Sequence, residues 1–354
     1  MKTCTLDLYT DYLLSSTGPT TATGLARLLE GELSHDHITR WLSSATWGSA
    51  DIWRQAKPLI RQAEARQQPA DFAVLIVDDS VLEKAHTDAN ELICYHWDHS
   101  QQRQVKGLNF GSLLYQAGEV ALPLAVELVR KTVAVWDAKR QQTKYERAFT
   151  KNEYLQQMLR VAQQQVAYRY LLADSWYASA ENMPLVRALG HHFIFALESS
   201  RTVALSEAAR AKGQFQAVQT LVFADAQPLR VYLRAVPEAV LVSRQVFTNQ
   251  DGSQGVLYLV SSDTDLTQAQ LTTIYQRRWK VEEYHKSLKQ NASMGKSPTK
   301  TVATQANHFL AAVLAYCKLE VLKLKCGIGH FRLKAQLYAV GLKAMYQQLG
   351  QLRA

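Results

Sequence analysis

Cysteine is scarce in this chain, proline and glycine are modest, and long apolar runs are missing. The four cysteines (Cys4, Cys94, Cys317 and Cys326) are scattered without ligand-like spacing. That pattern excludes a disulfide framework and a cysteine-based zinc site, and makes a reducing cytoplasm the expected compartment. Eight prolines and 16 glycines in 354 residues exclude collagenous and low-complexity material. No stretch approaches the ~20 apolar residues of a membrane span, and Met1 to Asp11 does not read as a signal peptide, so no membrane partner is expected. Acidic residues are outnumbered, 31 against 40 Lys and Arg. The resulting charge of +9 favours a polyanionic partner without identifying it. What the chain does have is an apolar fraction of 47%, too high for disorder and sufficient at this length for one large or two to three small domains.

Residues 1–68 read as a helical, DNA-binding region. After the break at Gly18-Pro19, Ala22 to Leu29 has helical spacing, and Ser34 can cap a second helix over His35 to Ser43. Two short helices about a glycine-containing turn resemble a helix-turn-helix, with Asp36, His37, Thr39 and Arg40 exposed on the second. An ordinary helical hairpin is the alternative. Pro58 fits the first turn of a further basic helix ending near Arg66.

From residue 71 the period changes. Phe72 to Val77 is a continuous apolar run, as expected of a strand covered on both faces, and it ends in Asp78-Asp79-Ser80. Strands are expected over Gly107 to Tyr115 and Val120 to Val129, joined by a hairpin. Trp136 to Tyr145 reads as a polar loop and Lys151 to Gln165 as an amphipathic helix. The buried-type strand Tyr168 to Ala173 again ends in an acid, Asp174. Residues 69–190 thus form the first part of a mixed α/β core, and 191–264 a strand-rich insertion. Helices follow: residues 265–300 complete the core, and 301–354 form a C-terminal helical region.

Two strands ending in aspartate, roughly a hundred residues apart, could project metal ligands from a rigid scaffold. Either one alone could equally be a turn-forming Asp. The segment Leu271 to Lys289 reads as one helix. Tyr275, Arg278, Glu282 and Lys289 lie at offsets 0, 3, 7 and 14. At about 100° per residue they fall within a sector of roughly 60°. A core stripe would be apolar, and a solvated face would not usually need a Tyr with an adjacent Trp. A salt-bridge ladder, with Arg278 and Glu282 an i,i+4 pair, is the alternative.

This spacing resembles the Tyr-Arg-Glu-Lys signature of the "insertion sequence four" superfamily of bacterial DDE transposases. Val77-Asp78-Asp79-Ser80 is similar to that family's first acidic motif, and Leu172-Ala173-Asp174-Ser175-Trp176-Tyr177 to its second. The resemblance implies a ribonuclease-H-like mixed-sheet core in which Asp78, Asp174 and Glu282 are catalytic and hold two Mg²⁺ or Mn²⁺ ions. The family pattern favours Asp78 as the first acid, and Asp79 remains the alternative. It further implies that Tyr275, Arg278 and Lys289 grip DNA phosphates and that Trp279 sits near an extruded base. Arg40 belongs to the expected helix-turn-helix contact with DNA. Lys296, Lys300, Lys318, Lys323 and Lys325 could add phosphate contacts.

Carboxylates suit hard divalent cations, and the rival metal motif, His96-x-Asp98-His99, lies in a polar stretch. The implied function is cut-and-paste transposition of an insertion sequence. Its partners would be double-stranded DNA, with terminal inverted repeats and a target, and a second copy of the chain in a paired-end complex. A bacterial cytoplasm is the expected location, with nucleoid association when DNA is bound. The alternatives are a domesticated nuclease of the same fold, a non-catalytic DNA-binding protein and a hydrolase of small phosphoesters.

Overall fold

A computed structural model describes residues 3–98, 102–139, 141–224, 227–249 and 251–353. Four helices come first: α1 (Leu6–Ser15), α2 (Ala22–Leu28), α3 (His35–Ser44) and α4 (Ser49–Arg66). Ser34 caps α3 as expected, its side chain accepting from the His37 amide. Pro58 lies inside α4 rather than in its first turn. The helix begins earlier than expected because Asp51 reaches back to the Gly48 amide and fixes its start there.

The antiparallel strands β1 (Val74–Glu83), β2 (Ile93–Asp98), β3 (Arg103–Ala117) and β4 (Val120–Leu128) follow. Long β3 pairs with β1 along one side, and on its other side with β2 and then β4. Gly107 is required where β1 and β3 meet, because a Cβ there would lie 2.2 Å from the Leu82 carbonyl oxygen. The expected loop near Trp136 is instead a hairpin, β5 (Lys131–Asp137) with β6 (Gln142–Arg147), separate from the main sheet. β6 is exposed throughout, so it carries no apolar alternation that would mark it as a strand.

Next come α5 (Lys151–Gln165), β7 (Tyr170–Ala173), α6 (Asn182–Ala188) and β8 (His192–Leu197). A capping box between Thr150 and Glu153 starts α5 at its expected residue. β7 pairs parallel with both β1 and β8. A small excursion, β9 (Thr202–Val203), α7 (Glu207–Ala211) and β10 (Gln216–Ala217), precedes β11 (Leu229–Tyr232), β12 (Ala239–Thr248) and β13 (Gln254–Ser261). The chain continues as α8 (Gln268–Gln276), α9 (Trp279–Gln290), α10 (Val302–Cys326) and α11 (His330–Arg353).

The main sheet runs β11-β12-β13-β8-β7-β1-β3, with β2 and β4 on the far flank of β3. The strand-rich segment 191–264 therefore supplies one half of this sheet: β8 extends the parallel run, and β13 joins β8 antiparallel. This is a mixed α/β fold of the ribonuclease-H-like kind. Side-chain parity sorts the core into two layers. Val74, Ile76, Tyr170 and Leu172 face a layer containing Val281, Tyr284 and Leu288 of α9 and the apolar length of α10. Leu75, Val77, Leu171 and Ala173 face a layer containing Leu155, Met158 and Leu159 of α5 together with Ala56 and Ile60 of α4. The helices α1, α2 and α3 contribute Leu13, Leu25, Ile38 and Leu42 to the first layer. Among the described residues no helix is long and apolar enough to cross a membrane.

Candidate active site

The first apolar strand does not end at its acids as expected: pairing with β3 carries β1 on to Glu83, so Asp78 lies within the strand and only Asp174 follows a strand end. The sheet register nonetheless brings the two acids level. Val74 pairs with Tyr170 and Ile76 with Leu172, so the same register carried two residues further sets Asp78 opposite Asp174. Adjacent strands lie about 4.8 Å apart, which is how residues remote in sequence come to share one site.

Which of Asp78 and Asp79 faces the site follows from the two unlike layers. Asp78 has the parity of Val74 and Ile76, the α9 side, and its carboxylate lies 3.6 Å from the Arg278 guanidinium. Asp79 has the parity of Leu75 and Val77, the α5 side. There it forms an ion pair with Lys151 at 2.7 Å and accepts from the Tyr177 hydroxyl at 3.4 Å. Apolarity on both faces hides this distinction in the sequence, because only one face carries α9.

The expected single helix through the signature is broken. Arg277 and Arg278 donate their amides three residues back, to Ile274 and Tyr275, and the chain restarts as α9 at Trp279. Arg277, which the sequence did not single out, anchors the break. Its guanidinium donates to the Phe72 carbonyl at 3.2 Å and the Gln116 carbonyl at 2.9 Å. Pinning Arg277 to the starting end of β1 turns its neighbour Arg278 toward the carboxylates.

Arg278 also reaches Glu282 at 3.6 Å. Arg278, Glu282 and Lys289 line a cleft of about 890 Å³ together with Asp78, Asp79, Asp174 and His285. Lys289 donates to the Ser80 hydroxyl at 3.1 Å, tying α9 to β1. Asp174 lines the cleft while its side chain accepts from the Trp176 amide at 3.1 Å, capping a 3₁₀ turn over Ser175–Tyr177.

Charge is concentrated there beyond what Arg278 neutralises. Burial pushes the Asp78 carboxyl up to about 7, with Asp174 and Glu282 adding to the rise and Arg278 opposing it. Asp174 is also raised, by burial and then by Asp79. The His285 imidazole is held down to about 3 by burial, Lys289 and Arg278, so it is neutral. One ligand atom from each of Asp78, Glu282 and His285 lies within 4.8 Å of the other two, whereas Asp174 falls outside that set. Oxygen-rich donors with unrelieved negative charge fit a hard divalent cation.

The remaining sequence candidates distribute unevenly. Tyr275 does not face the cleft; it is buried and its hydroxyl donates to the Ala173 carbonyl at 3.2 Å, bracing the strand end before Asp174. Trp279 is 64% exposed and lines a different cavity, beside Lys280 and Phe331, so it is not a core residue. Arg40 is exposed on α3, its Nε donating to the Asp36 carbonyl at 3.4 Å. Lys318 and Lys323 are engaged internally, with Asp11 at 2.8 Å and Glu320 at 2.7 Å, and Lys296 donates to the Thr17 carbonyl. Of the rival metal motif, His96 lies 3.1 Å from the Cys94 sulfur, and His99 lies outside the described residues.

Several cleft residues escaped the sequence reading, among them His285, Lys286, Glu198 and Lys151. Glu198 follows β8 and accepts from the Ser175 hydroxyl. The signal was available, since β8 repeats the pattern of an apolar strand followed by an acid. Lys151, at the start of α5, carried no such mark.

Parallel strands that deliver carboxylates to one end, met there by a glutamate from a helix packed on the sheet, define a ribonuclease-H-like nuclease of the DDE type. Residues 1–217 match the family described as DDE superfamily endonuclease, and residues 127–318 the family described as Transposase DDE domain. The chain belongs to the DDE endonuclease and transposase superfamily. No curated relative matches. A solved structure with partial likeness is Endonuclease V of Ciona intestinalis in complex with a 24mer DNA containing an inosine followed by a ribo-adenosine. Its identity is 10% and its TM-score 0.30, over 71% of this chain and 99% of that one.

Proposed function

We propose that this protein is a transposase of the insertion sequence four type that moves its own element by cut-and-paste transposition. The observation carrying this reading is the meeting of Asp78 and Glu282 in a cleft that also holds Asp174 and is rimmed by Lys289, Lys286 and Arg278. Asp78, Asp174 and Glu282 would hold two Mg²⁺ or Mn²⁺ ions. When bound, such ions activate a water and neutralise phosphate charge. Arg278 now bridges Asp78 and Glu282, and would turn to the scissile phosphate once their charge is otherwise balanced. Tyr275 acts through Ala173 by fixing where Asp174 emerges. Hydrolysis at an element end leaves a 3′-hydroxyl. That hydroxyl then displaces a phosphodiester oxygen in the opposite strand or in target DNA.

The test is incubation with duplexes carrying the sequence that flanks the gene. Metal-dependent cleavage at the element boundary is expected, and equal cleavage of unrelated duplexes would contradict the reading. Two contacts separate by their signatures. Lys289→Ala should weaken binding to all duplexes and lower the salt slope by about one, as for a lost phosphate contact. Arg40→Ala should cost about tenfold in affinity for the terminal inverted repeat alone, as for lost base reading on α3. Reversed signatures would refute both assignments.

Joining two ends requires two protomers, and α11 supports a homodimer. Tyr338, Leu342, Met345, Leu349 and Leu352 recur at intervals of 4, 3, 4 and 3 and are all exposed. That spacing fits the seam of a coiled coil with a second copy of the chain. Leu342→Lys combined with Leu349→Lys should convert a dimer to a monomer by light scattering. A dimer surviving both changes would exclude this seam.

A further inference from the structure

His285 belongs to α9 one turn beyond Glu282, so both project from one side of the helix. Its ring is buried and packs edge-on against Phe110, with centroids 5.4 Å apart. The Nε2 atom is buried and has no hydrogen-bond partner among the described residues. Leaving a buried polar atom unpaired is destabilising, and an apolar ring would fill the space against Phe110 without that cost. One ring nitrogen of this neutral imidazole lies mutually within 4.8 Å of a carboxylate oxygen of Asp78 and one of Glu282, so the ring stands where a nitrogen lone pair could serve a cation.

We propose that His285 is a nitrogen ligand to a divalent cation held by Asp78 and Glu282, making this a mixed oxygen and nitrogen site that favours Mn²⁺ over Mg²⁺. The proposal rests on the reading that those two carboxylates bind a cation. Imidazole nitrogen contributes more to a transition metal than to Mg²⁺, which prefers oxygen and retains its waters. An all-carboxylate site would discriminate less between the two ions.

Pulsed electron paramagnetic resonance on the full chain with one equivalent of Mn²⁺ reads the ligand directly. The expected result is ¹⁴N coupling of a coordinated imidazole in the wild type and its loss in His285→Gln. Mn²⁺ affinity should fall about tenfold in that variant, with Mg²⁺ affinity changed far less. His285→Phe, which keeps the packing on Phe110, serves if the Gln variant does not fold, and the wild-type spectrum needs no variant. Bound Mn²⁺ without ¹⁴N coupling, displaced by Glu282→Gln, would overturn the histidine assignment and leave the carboxylate reading standing. Mn²⁺ binding unchanged in both Asp78→Asn and Glu282→Gln would overturn the two together.

Discussion

Glu282→Gln is expected to lower metal-dependent DNA cleavage by at least about 10³-fold, on the order of 4 kcal/mol of transition-state stabilisation, while leaving DNA affinity within about twofold. The substitution preserves volume and removes one negative charge from the carboxylate that lies within 4.8 Å of Asp78 and His285. It deletes no cation from the cleft rim, so the electrostatic attraction for the DNA backbone survives. The helix also survives, because Val281, Tyr284 and Leu288 hold α9 to the sheet independently of Glu282. Gel-shift and nicking assays on one duplex separate the two effects. Parallel loss of binding and cleavage would show that Glu282 is structural.

Asp78→Asn should behave in the same way and Asp79→Asn should not, because Asp79 is already paired with Lys151 on the α5 side. The opposite ranking would reverse the assignment of the first acid.

The second large effect is a pH dependence of metal binding. With the Asp78 carboxyl pushed up to about 7 by burial and by Asp174 and Glu282, a cation must displace a proton below that pH. Affinity for Mn²⁺ should therefore fall as the pH drops below 7, approaching about tenfold per pH unit, and flatten above it. Stability without metal runs the other way. The folded carboxyl titrates above its ordinary value, so the folded state holds a proton that the unfolded state has lost between about pH 4 and 7. That contribution is complete at low pH and disappears as the pH rises through 7. The melting temperature without metal should fall between pH 5 and 8, and saturating Mn²⁺ should raise it more at pH 8 than at pH 6. Calorimetric titrations and thermal melts across this range read both trends. A pH-independent affinity would mean that Asp78 does not take part.

Much of this site was legible in the sequence because apolar runs and caps are local. The acid after β7 and the boundaries of α5 follow from residues close by. Choosing Asp78 over Asp79 was not possible from alternation, since both sheet faces are apolar and only the packing of α9 makes them unlike. The break at Arg277 was invisible for a related reason. It depends on carbonyls of Phe72 and Gln116, remote in sequence, that capture one guanidinium. Tyr275 has the helical spacing of a surface residue in an unbroken helix, and the break sends it inward to Ala173. His285 fitted no spacing, and its importance emerges only when β1 brings Asp78 to it.

Calorimetric Mn²⁺ titration of Asp174→Asn at pH 8 is the most direct test. Asp174 comes from β7, outside the tight set of Asp78, Glu282 and His285, and faces the same cleft. If the three acids act as one site, this variant binds Mn²⁺ with lower affinity or reduced stoichiometry and does not cut DNA. Wild-type affinity, stoichiometry and cleavage in Asp174→Asn would contradict the account.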